Sequence, residues 1–222
     1  MRLTILFLLL PILSFGQHLL NGTTKSKKEP LPFVNIVLKN SDGKIFGWGD
    51  NTYGQLGLGD ILTRSSPVQL GASSWSQVTL SIDSTIAISI DGALFAWGGN
   101  TGGKLGTGDT LNRSSPVQIS SGNFSYVVYY ATTPNTLALQ TDGSLWAWGY
   151  NPNGQVGNRT TVNQYLPIKI DSNSYTSVSS GFEFTMALRN NSTIYTWGVN
   201  SGGQLGDFTT INRSAPVQIQ GS

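Results

Sequence analysis

Short apolar runs separated by turn residues are the dominant pattern along the chain. Residues 87–90 form one such run, an Asp-Gly pair follows it, and residues 93–97 form a second. Asp-Gly between two apolar runs is a strong signal for a tight β-hairpin, because both central residues of the turn take positive φ. Further short runs lie at residues 75–78 and 116–119. After residue 16 no segment keeps the 3.6-residue period of an amphipathic helix, so the pattern predicts an all-β fold.

This layout occurs four times. A Trp-Gly pair, a Gly-x-x-Gly box and a closing proline each return at spacings of 49, 51 and 49 residues. The tryptophans are Trp48, Trp97, Trp148 and Trp197, and the prolines are Pro67, Pro116, Pro167 and Pro216. The box glycines are Gly54 and Gly57, Gly103 and Gly106, Gly154 and Gly157, and Gly203 and Gly206. Four short strands in about 50 residues form one blade of a β-propeller. We therefore predict about four repeat units, at residues 41–70, 71–119, 120–170 and 171–222.

The repeated unit has a long and specific motif. It reads Trp-Gly-x-Asn-x-x-Gly-Gln-Leu-Gly-x-Gly-Asp, followed by Arg-Ser-x-Pro-Val, most fully in residues 47–70 and 96–119. Over about residues 41–222 the chain resembles the regulator of chromosome condensation repeat family. The resemblance implies a β-propeller that normally has seven blades, so about four units amount to a partial or incomplete ring. Members of the family include guanine-nucleotide exchange factors for a small GTPase and many proteins with other partners.

A partial ring leaves three alternatives open. The chain is a fragment of a longer protein, it forms a compact ring of four blades, or it completes a ring by self-association. An open arc leaves strand edges exposed, and exposed edges invite pairing with other chains. Self-association through open blade edges is therefore one expected outcome.

The first sixteen residues have the pattern of a secretory signal peptide. A basic start is followed by a mostly apolar run over residues 3–15, and the small residues Ser14 and Gly16 precede a cleavage site before Gln17. The run is shorter than the roughly 20 apolar residues of a transmembrane helix. We predict a signal peptide at residues 1–16, a secreted or extracytoplasmic mature chain, and no membrane span.

Residues 17–40 form an N-terminal segment that does not resemble the repeat. Within it, residues 19–38 resemble the start of a carboxypeptidase-regulatory-like domain through the stretch Glu-Pro-Leu-Pro-Phe-Val-Asn-Ile at 29–36. Leu38 stands where the other three copies have alanine. We therefore expect the first hairpin to lose register at this junction.

The composition excludes most kinds of catalytic site. The chain of 222 residues contains no Cys and one His, His18. This excludes disulfides, thiolate sites and any site that needs two imidazoles. The Gly boxes lack the Gly-Lys-Ser/Thr ending of a phosphate-binding loop. We predict no catalytic residue, no metal, no cofactor and a non-enzymatic protein.

The charge distribution disfavours a nucleic-acid partner. Four of the 13 Lys and Arg residues lie in the first 28 residues, whereas nine Lys or Arg and ten Asp or Glu follow residue 36. Binding to a phosphate backbone needs clustered basic side chains. The repeats lack such a cluster, so we predict a partner that is not nucleic acid.

Several repeated side chains are interpreted as structural. The Asn that follows each Trp-Gly pair by two positions is expected to satisfy the backbone of its loop. Asp60 and Asp109 are expected to pair with Arg64 and Arg113 and so stabilise two of the loops. The repeated tryptophans, with an aromatic residue two positions earlier, are expected to pack between blades. A platform for carbohydrate is the alternative for these aromatics.

Positions that differ between the copies are better candidates for binding, because the repeated architecture does not dictate them. We predict that Tyr53, Tyr130 and Tyr150 contact a partner from loops on a rigid scaffold. The predicted function is a secreted, non-catalytic propeller that acts as a protein-binding or cell-surface interaction scaffold. The alternatives are a regulator of a small GTPase that resembles an exchange factor, and a carbohydrate-binding or adhesion module.

Overall fold

The computed structural model describes residues 35–129 and 135–219, and these residues form an all-β structure. Within them, fourteen strands and one short 3₁₀ turn, Thr101–Gly103, are the regular elements. Every strand pairing is antiparallel. The strands are β1 (Asn35–Lys39), β2 (Ile45–Gly49), β3 (Arg64–Gln69), β4 (Trp75–Leu80), β5 (Ser84–Ser89), β6 (Leu94–Gly98), β7 (Arg113–Ser120), β8 (Phe124–Tyr129), β9 (Asn135–Gln140), β10 (Ser144–Gly149), β11 (Gln164–Ser180), β12 (Phe184–Arg189), β13 (Ile194–Gly198) and β14 (Arg213–Gln218). The predicted fold class is confirmed.

The strands group into four consecutive blades. Strands β1 to β3 form a three-stranded sheet, and β4 to β7 form a four-stranded sheet. The other seven strands lie side by side in reverse chain order, from β14 to β8. We name these units blade I (β1–β3), blade II (β4–β7), blade III (β8–β10 with the first part of β11) and blade IV (the rest of β11 with β12–β14).

Strand β11 belongs to two blades. It is 17 residues long, about three times the length of most of the other strands. Its first part pairs with β10, beginning with Gln164 opposite Gly149. From Tyr175, which lies opposite Arg189, it pairs with β12. The chain therefore passes from blade III to blade IV without a loop.

The central hairpin of blade II forms as the apolar pattern predicts. Ala87 lies opposite Phe95, and Gly92 N donates to Ser89 O at 3.0 Å to close the turn. Gly92 has φ of +82°, a conformation that costs a residue with a Cβ about 1 kcal/mol or more. Blade IV places Ser192 at the same position with φ of +66°.

Blade I keeps the register of the other blades. Leu38 lies opposite Phe46, just as Ala87 lies opposite Phe95 in blade II. The expectation that the first hairpin loses register at Leu38 is therefore wrong. The side chain changes at this position, but register is set by the turn and by the alternation of the two faces, and both are retained.

The N-terminal predictions fall mostly outside the described residues. Residues 1–34 contain the predicted signal peptide and most of the carboxypeptidase-like stretch, and they are not described. Strand β1 begins at Asn35 and belongs to blade I, ahead of the expected start of the repeats at residue 41. In the two described segments, no helix has the length and apolar content to cross a bilayer.

The hydrophobic core lies between neighbouring blades. Three clusters of buried side chains fill the three junctions. The cluster between blades I and II contains Val37, Ile45, Leu70, Trp75, Ala87 and Trp97. The cluster between blades II and III contains Ile86, Ile88, Leu94, Ala96, Leu105, Phe124, Val127, Tyr129, Ala138 and Trp148. The cluster between blades III and IV contains Leu137, Leu139, Leu145, Ala147, Val156, Tyr175, Val178, Ala187 and Trp197. Each junction buries one face of each of its two blades.

Candidate functional site: the repeat loops

One loop in each blade carries both the Gly box and the positions that vary between copies. These segments are residues 50–63, 99–112, 150–163 and 199–212, and we call them the repeat loops. Each begins directly after the Trp-Gly pair and ends at the last strand of its blade. Because the hairpin and the last strand follow one another in the same order in all four blades, the four repeat loops extend from equivalent ends of their sheets.

A buried asparagine holds each repeat loop together. In the second loop, Asn100 Nδ2 donates to Asp109 O at 3.0 Å and to Leu111 O at 3.1 Å. Asn100 Oδ1 accepts from Leu105 N at 2.9 Å. The equivalent fully buried residues are Asn51, Asn151 and Asn200. Each amide satisfies backbone groups that the loop would otherwise leave unpaired, which is the structural role expected from the sequence.

Charged pairs brace the first two loops, as predicted. Arg64 Nη2 lies 2.5 Å from Asp60 Oδ2, and Arg113 Nη2 lies 2.6 Å from Asp109 Oδ2. The backbone N–H of Leu62 and the Arg64 guanidinium donate hydrogen bonds that hold the pKa of Asp60 below its usual value. The Arg113 guanidinium lowers the pKa of Asp109 in the same way.

The third and fourth loops vary this scheme. In the third, Gln164 Nε2 donates to Val162 O at 2.9 Å. In the fourth, Arg213 Nε lies 2.7 Å from Asp207 Oδ2. Hydrogen bonds from Thr209 and Arg213 lower the pKa of Asp207 to about 2. The same loop shape is thus held by a neutral network in one blade and by a charged network in the next.

Each loop also displays an aliphatic side chain to solvent at one equivalent position. In the second loop, Leu111 N donates to Asp109 Oδ1 at 3.0 Å, and Leu111 O accepts from Arg113 Nη1 at 2.8 Å. With both backbone groups held, the Leu111 side chain projects outward. The four equivalent residues are 62–66% exposed, and they are Leu62, Leu111, Val162 and Ile211. We call them the aliphatic row.

The junction between blades II and III has two further apolar side chains at its surface. Tyr165 and Leu166 open β11 and are 43% and 57% exposed. Both lie against the second repeat loop, Tyr165 beside Gly103 and Leu166 beside Gly108. The other copies have Ser-Ser or Ser-Ala at these two positions. Sequence analysis missed them, although comparison of the four copies would have revealed the change from small polar to large apolar residues.

The two predicted tyrosines that the structure describes lie on different repeat loops. Tyr53 is exposed on the first repeat loop, where its N–H donates to Gln55 Oε1 at 2.9 Å. Tyr150 is half-buried at the start of the third loop. Tyr130 lies outside the described residues. A role for these side chains in binding remains a prediction.

A buried ion pair replaces a neutral residue in the second Gly box. Lys104 stands where the other boxes have Gln, and its Nζ lies 2.5 Å from Asp83 Oδ1. Nearby, the hydroxyls of Ser84 and Tyr129 lie 2.9 Å apart, and burial raises the pKa of Tyr129. The Lys104 ammonium is engaged by the carboxylate, so the cluster is built to hold the junction.

The structure disfavours the sugar-platform alternative at three of the four repeated tryptophans. Trp97, Trp148 and Trp197 are fully buried between blades, and a ring must be exposed to stack on a sugar.

Across the described residues, no three His, Cys, Asp or Glu side chains come together as a metal site.

Comparison with known families supports the repeat assignment. The model of the regulator of chromosome condensation (RCC1) repeat matches residues 42–88, 91–132, 142–188 and 191–222. A second model of the same repeat matches residues 117–155 and 175–204. No curated protein matches the chain.

Solved structures share the fold at low sequence identity. Human WBSCR16 superposes with a TM-score of 0.70 at 24% identity, covering 84% of this chain and 50% of that one. Saccharomyces cerevisiae Prp20p gives a TM-score of 0.72 at 20% identity, with coverages of 85% and 49%. Yeast RCC1 (Prp20), in a structure with Kap60, gives 0.74 at 19% identity, with coverages of 85% and 47%. This chain therefore spans about half the length of each. Because the family model covers most of the four blades, the chain belongs to the RCC1 repeat family.

Proposed function

We propose that this chain is an exported, non-catalytic scaffold that binds a partner protein through its repeat loops. The observation that carries the proposal is the aliphatic row. Single exposed apolar residues are ordinary on protein surfaces, so it is the repetition of this one on four equivalent loops that favours an interaction surface. Here four copies of one loop each hold an aliphatic side chain in solvent at the same position.

The loops are suited to binding because they are already ordered. The buried asparagines and the Asp–Arg pairs fix the loop backbone before any partner arrives. A preorganised surface loses less conformational entropy on association. Tyr53, Tyr165 and Leu166 add large exposed side chains that differ from copy to copy, and such side chains distinguish one partner from another.

Related propellers support protein binding in general terms. Prp20p is described with its binding to Gsp1p and histones, and yeast RCC1 (Prp20) is described bound by Kap60. These statements concern those proteins. They favour a protein as the partner class for this chain.

Site-specific photo-cross-linking tests the proposal. A photoreactive amino acid is placed at Leu166 or Tyr53, with Ile90, which is exposed in the turn between β5 and β6, as the matched control. Irradiation in the extracytoplasmic fraction of the source organism is expected to give the same discrete adduct from both loop positions and none from Ile90. Leu166→Ser, which introduces the residue of two other copies, is expected to weaken the adduct formed from Tyr53. Adducts that are equal at all three positions would remove the loops as the binding surface.

Export rests on the pattern of residues 1–16 and has its own test. The intact mass of the protein from the extracytoplasmic fraction is expected to fit a chain that begins at Gln17. Uncleaved protein found only inside cells would overturn export, and it would leave the loop surface to be tested separately.

A regulator of a small GTPase is the second candidate. The fold shared with Prp20p, described with Gsp1p, is the observation that favours it. It ranks second because this chain spans about half of that propeller. Release of a fluorescent guanine nucleotide from a panel of small GTPases separates the two candidates. Stimulated release would replace the non-catalytic scaffold, and release at the intrinsic rate would eliminate the exchange factor.

A further inference from the structure

The three junctions inside the chain share one set of contacts. Between blades I and II, Gly59 N donates to Ser114 O at 2.8 Å. Trp97 Nε1 and Thr85 Oγ1 both donate to Gln55 O, at 3.0 and 2.8 Å. Blade I contributes the Gly box and the glycine that follows it, which we call the forward face. Blade II contributes the Trp, the Thr and the first residues of its last strand, which we call the backward face.

The other two junctions repeat these contacts. Between blades II and III, Lys104 O accepts from Trp148 Nε1 and from Thr136 Oγ1, both at 2.9 Å. Between blades III and IV, Gln155 O accepts from Trp197 Nε1 at 3.0 Å and from Thr185 Oγ1 at 3.2 Å. The backbone bond recurs as Gly108 N to Tyr165 O at 2.7 Å and Arg159 N to Ser214 O at 2.6 Å. The contact is thus a repeated lock that every internal pair of blades forms.

The described residues leave the forward face of blade IV uncovered. Its box, residues 203–206, has the same sequence as residues 54–57. The first box is buried throughout, whereas the fourth exposes both of its glycines. Met186 on the same face is 40% exposed, whereas its equivalents Ile86 and Leu137 are fully buried. An apolar half-junction therefore faces solvent at blade IV.

Blade I presents the complementary backward face. Trp48 is half-buried, whereas the equivalent Trp97 is fully buried. Ser65 at the start of β3 is exposed, whereas its equivalents Ser114 and Ser214, which meet the Gly box inside the chain, are half-buried. The two ends of the described arc thus carry the two halves of one lock, except that blade I has Ile36 at the position of the Thr and has three described strands instead of four.

Phe208 provides a second observation at the uncovered face. It occupies the position of Gly59 and Gly108, keeps a positive φ of +60°, and is 85% exposed. A bulky residue is strained in this backbone region. In the junction between blades III and IV, Arg159 sits at this position with φ of +67°, and its N–H is held by Ser214 O. Phe208 therefore has the positive φ that Arg159 adopts in a formed junction, while its own side chain lies in solvent.

We infer that a second copy of this chain docks head to tail, with the backward face of its blade I on the forward face of blade IV. Phe208 N donates to Ser65 O of the other copy, and Trp48 Nε1 of that copy donates to Gln204 O. This is face-to-face packing of blades, distinct from the pairing of strand edges expected from the sequence. Each copy offers one face of each kind, so two copies close into a ring if the rotation allows it.

A disulfide trap tests the docking directly, because the chain has no cysteine of its own. Inside the chain, a Cβ built on Gly59 lies 3.6 Å from Ser115 Oγ, so side chains at these two positions come into contact across the junction. The equivalent pair across two copies is Phe208→Cys with Ser66→Cys. The matched control is Arg159→Cys with Ala215→Cys, which lie at the same positions of the internal junction between blades III and IV.

The two pairs give different expected products on mild oxidation. The control pair is expected to close within one chain. The terminal pair is expected to link separate chains into a reducible oligomer. A terminal pair that stays reduced at protein concentrations where the control closes would overturn the proposal, and so would a longer native chain that covers the face and keeps the protein monomeric.

Mixing the single variants determines the polarity of the contact. Phe208→Cys alone and Ser66→Cys alone are each expected to remain mostly unlinked, whereas their mixture is expected to give a 1:1 linked dimer. Efficient linking of Phe208→Cys to itself would show that two forward faces meet, and would overturn head-to-tail docking.

Sedimentation of the cysteine-free protein provides an independent readout. Met186→Lys places a charge on the forward face and is expected to weaken association at least tenfold. Ile90→Lys, a change at an exposed residue away from both faces, is expected to leave it unchanged. Equal effects of the two variants, or a single-chain mass at every concentration, would overturn the proposal.

Discussion

The first and fourth Gly boxes are identical in sequence and nearly identical in conformation, yet only the first is buried. Gly54 and Gly203 have φ of +83° and +74°. Each donates its N–H to the carbonyl of the loop asparagine at 2.9 Å, Gly54 to Asn51 and Gly203 to Asn200. An added Cβ at Gly54 would lie 2.5 Å from Ser114 Cα, whereas at Gly203 it would meet nothing within 4 Å. The loop fold is therefore encoded locally, and its burial is supplied by the next blade.

The largest expected effect on this comparison comes from substituting the repeated tryptophans. Trp97→Ala is expected to lower the free energy of unfolding by about 3–5 kcal/mol, because a fully buried indole is lost and a cavity is left. Trp48→Ala is expected to cost less than half of that, because Trp48 is half-buried. Urea denaturation of dilute protein measures both. Equal losses would show that blade I is covered in solution as fully as blade II.

A sharper test uses the matched glycines. Gly203→Ala is expected to cost about 1–2 kcal/mol from positive φ alone. Gly54→Ala carries the same strain and an additional cost of about 1–3 kcal/mol, because its Cβ overlaps the backbone of β7. Urea denaturation at low protein concentration gives the difference. A cost at Gly203 that rises with protein concentration would indicate that another blade covers this box.

A smaller effect is expected at the Lys104–Asp83 ion pair, which only the second Gly box has among the described junctions. Lys104→Gln introduces the residue of the other boxes and leaves the Asp83 carboxylate without its cation. We expect a loss of about 1–3 kcal/mol in the free energy of unfolding. Adding Asp83→Asn is expected to recover at least half of it, because the unpaired charge is then removed. A double variant as unstable as Lys104→Gln would show that packing, and not charge, explains the loss.

The smallest expected effect is a difference in pH dependence between the third and fourth repeat loops. The pKa of Asp207 is lowered to about 2 in the folded chain, so its stabilising effect is complete above about pH 4 and disappears as the pH falls towards 2. Thr209 N donates to Asp207 Oδ1, whereas Thr160 N donates to Asn158 Oδ1, a neutral acceptor. NMR shifts of the two amides should titrate with a midpoint near pH 2 for Thr209 only. A matching titration at Thr160 would indicate general acid unfolding.

The repeats, the hairpins and the loop framework could be predicted from sequence because each is determined by local chemistry. Asp-Gly turns, box glycines and loop asparagines act on neighbours within about ten residues. The register of blade I could not be inferred from Leu38, because a change of side chain does not by itself change the pairing. Pairing depends on backbone alternation and on the turn, and these tolerate Leu in place of Ala.

The candidate site was only partly predictable. Tyr53 was found as an exposed loop residue, whereas Tyr165 and Leu166 were missed because they open a strand and lie on the loop of the preceding blade. The Lys104–Asp83 pair joins residues 21 positions apart, beyond the range of a local motif. The aliphatic row could not be predicted, because its outward projection depends on hydrogen bonds that only the folded loop makes.

The continuity of β11 has a mechanical consequence. Blades III and IV are connected by an unbroken strand, whereas five residues, 70–74, separate β3 from β4. A shared strand transmits twist and tension directly, and a linker lets its two sides pivot. We expect the arc to be stiff at its C-terminal half and to flex between blades I and II. Distance distributions between spin labels should be narrow across blades III and IV and broader across blades I and II.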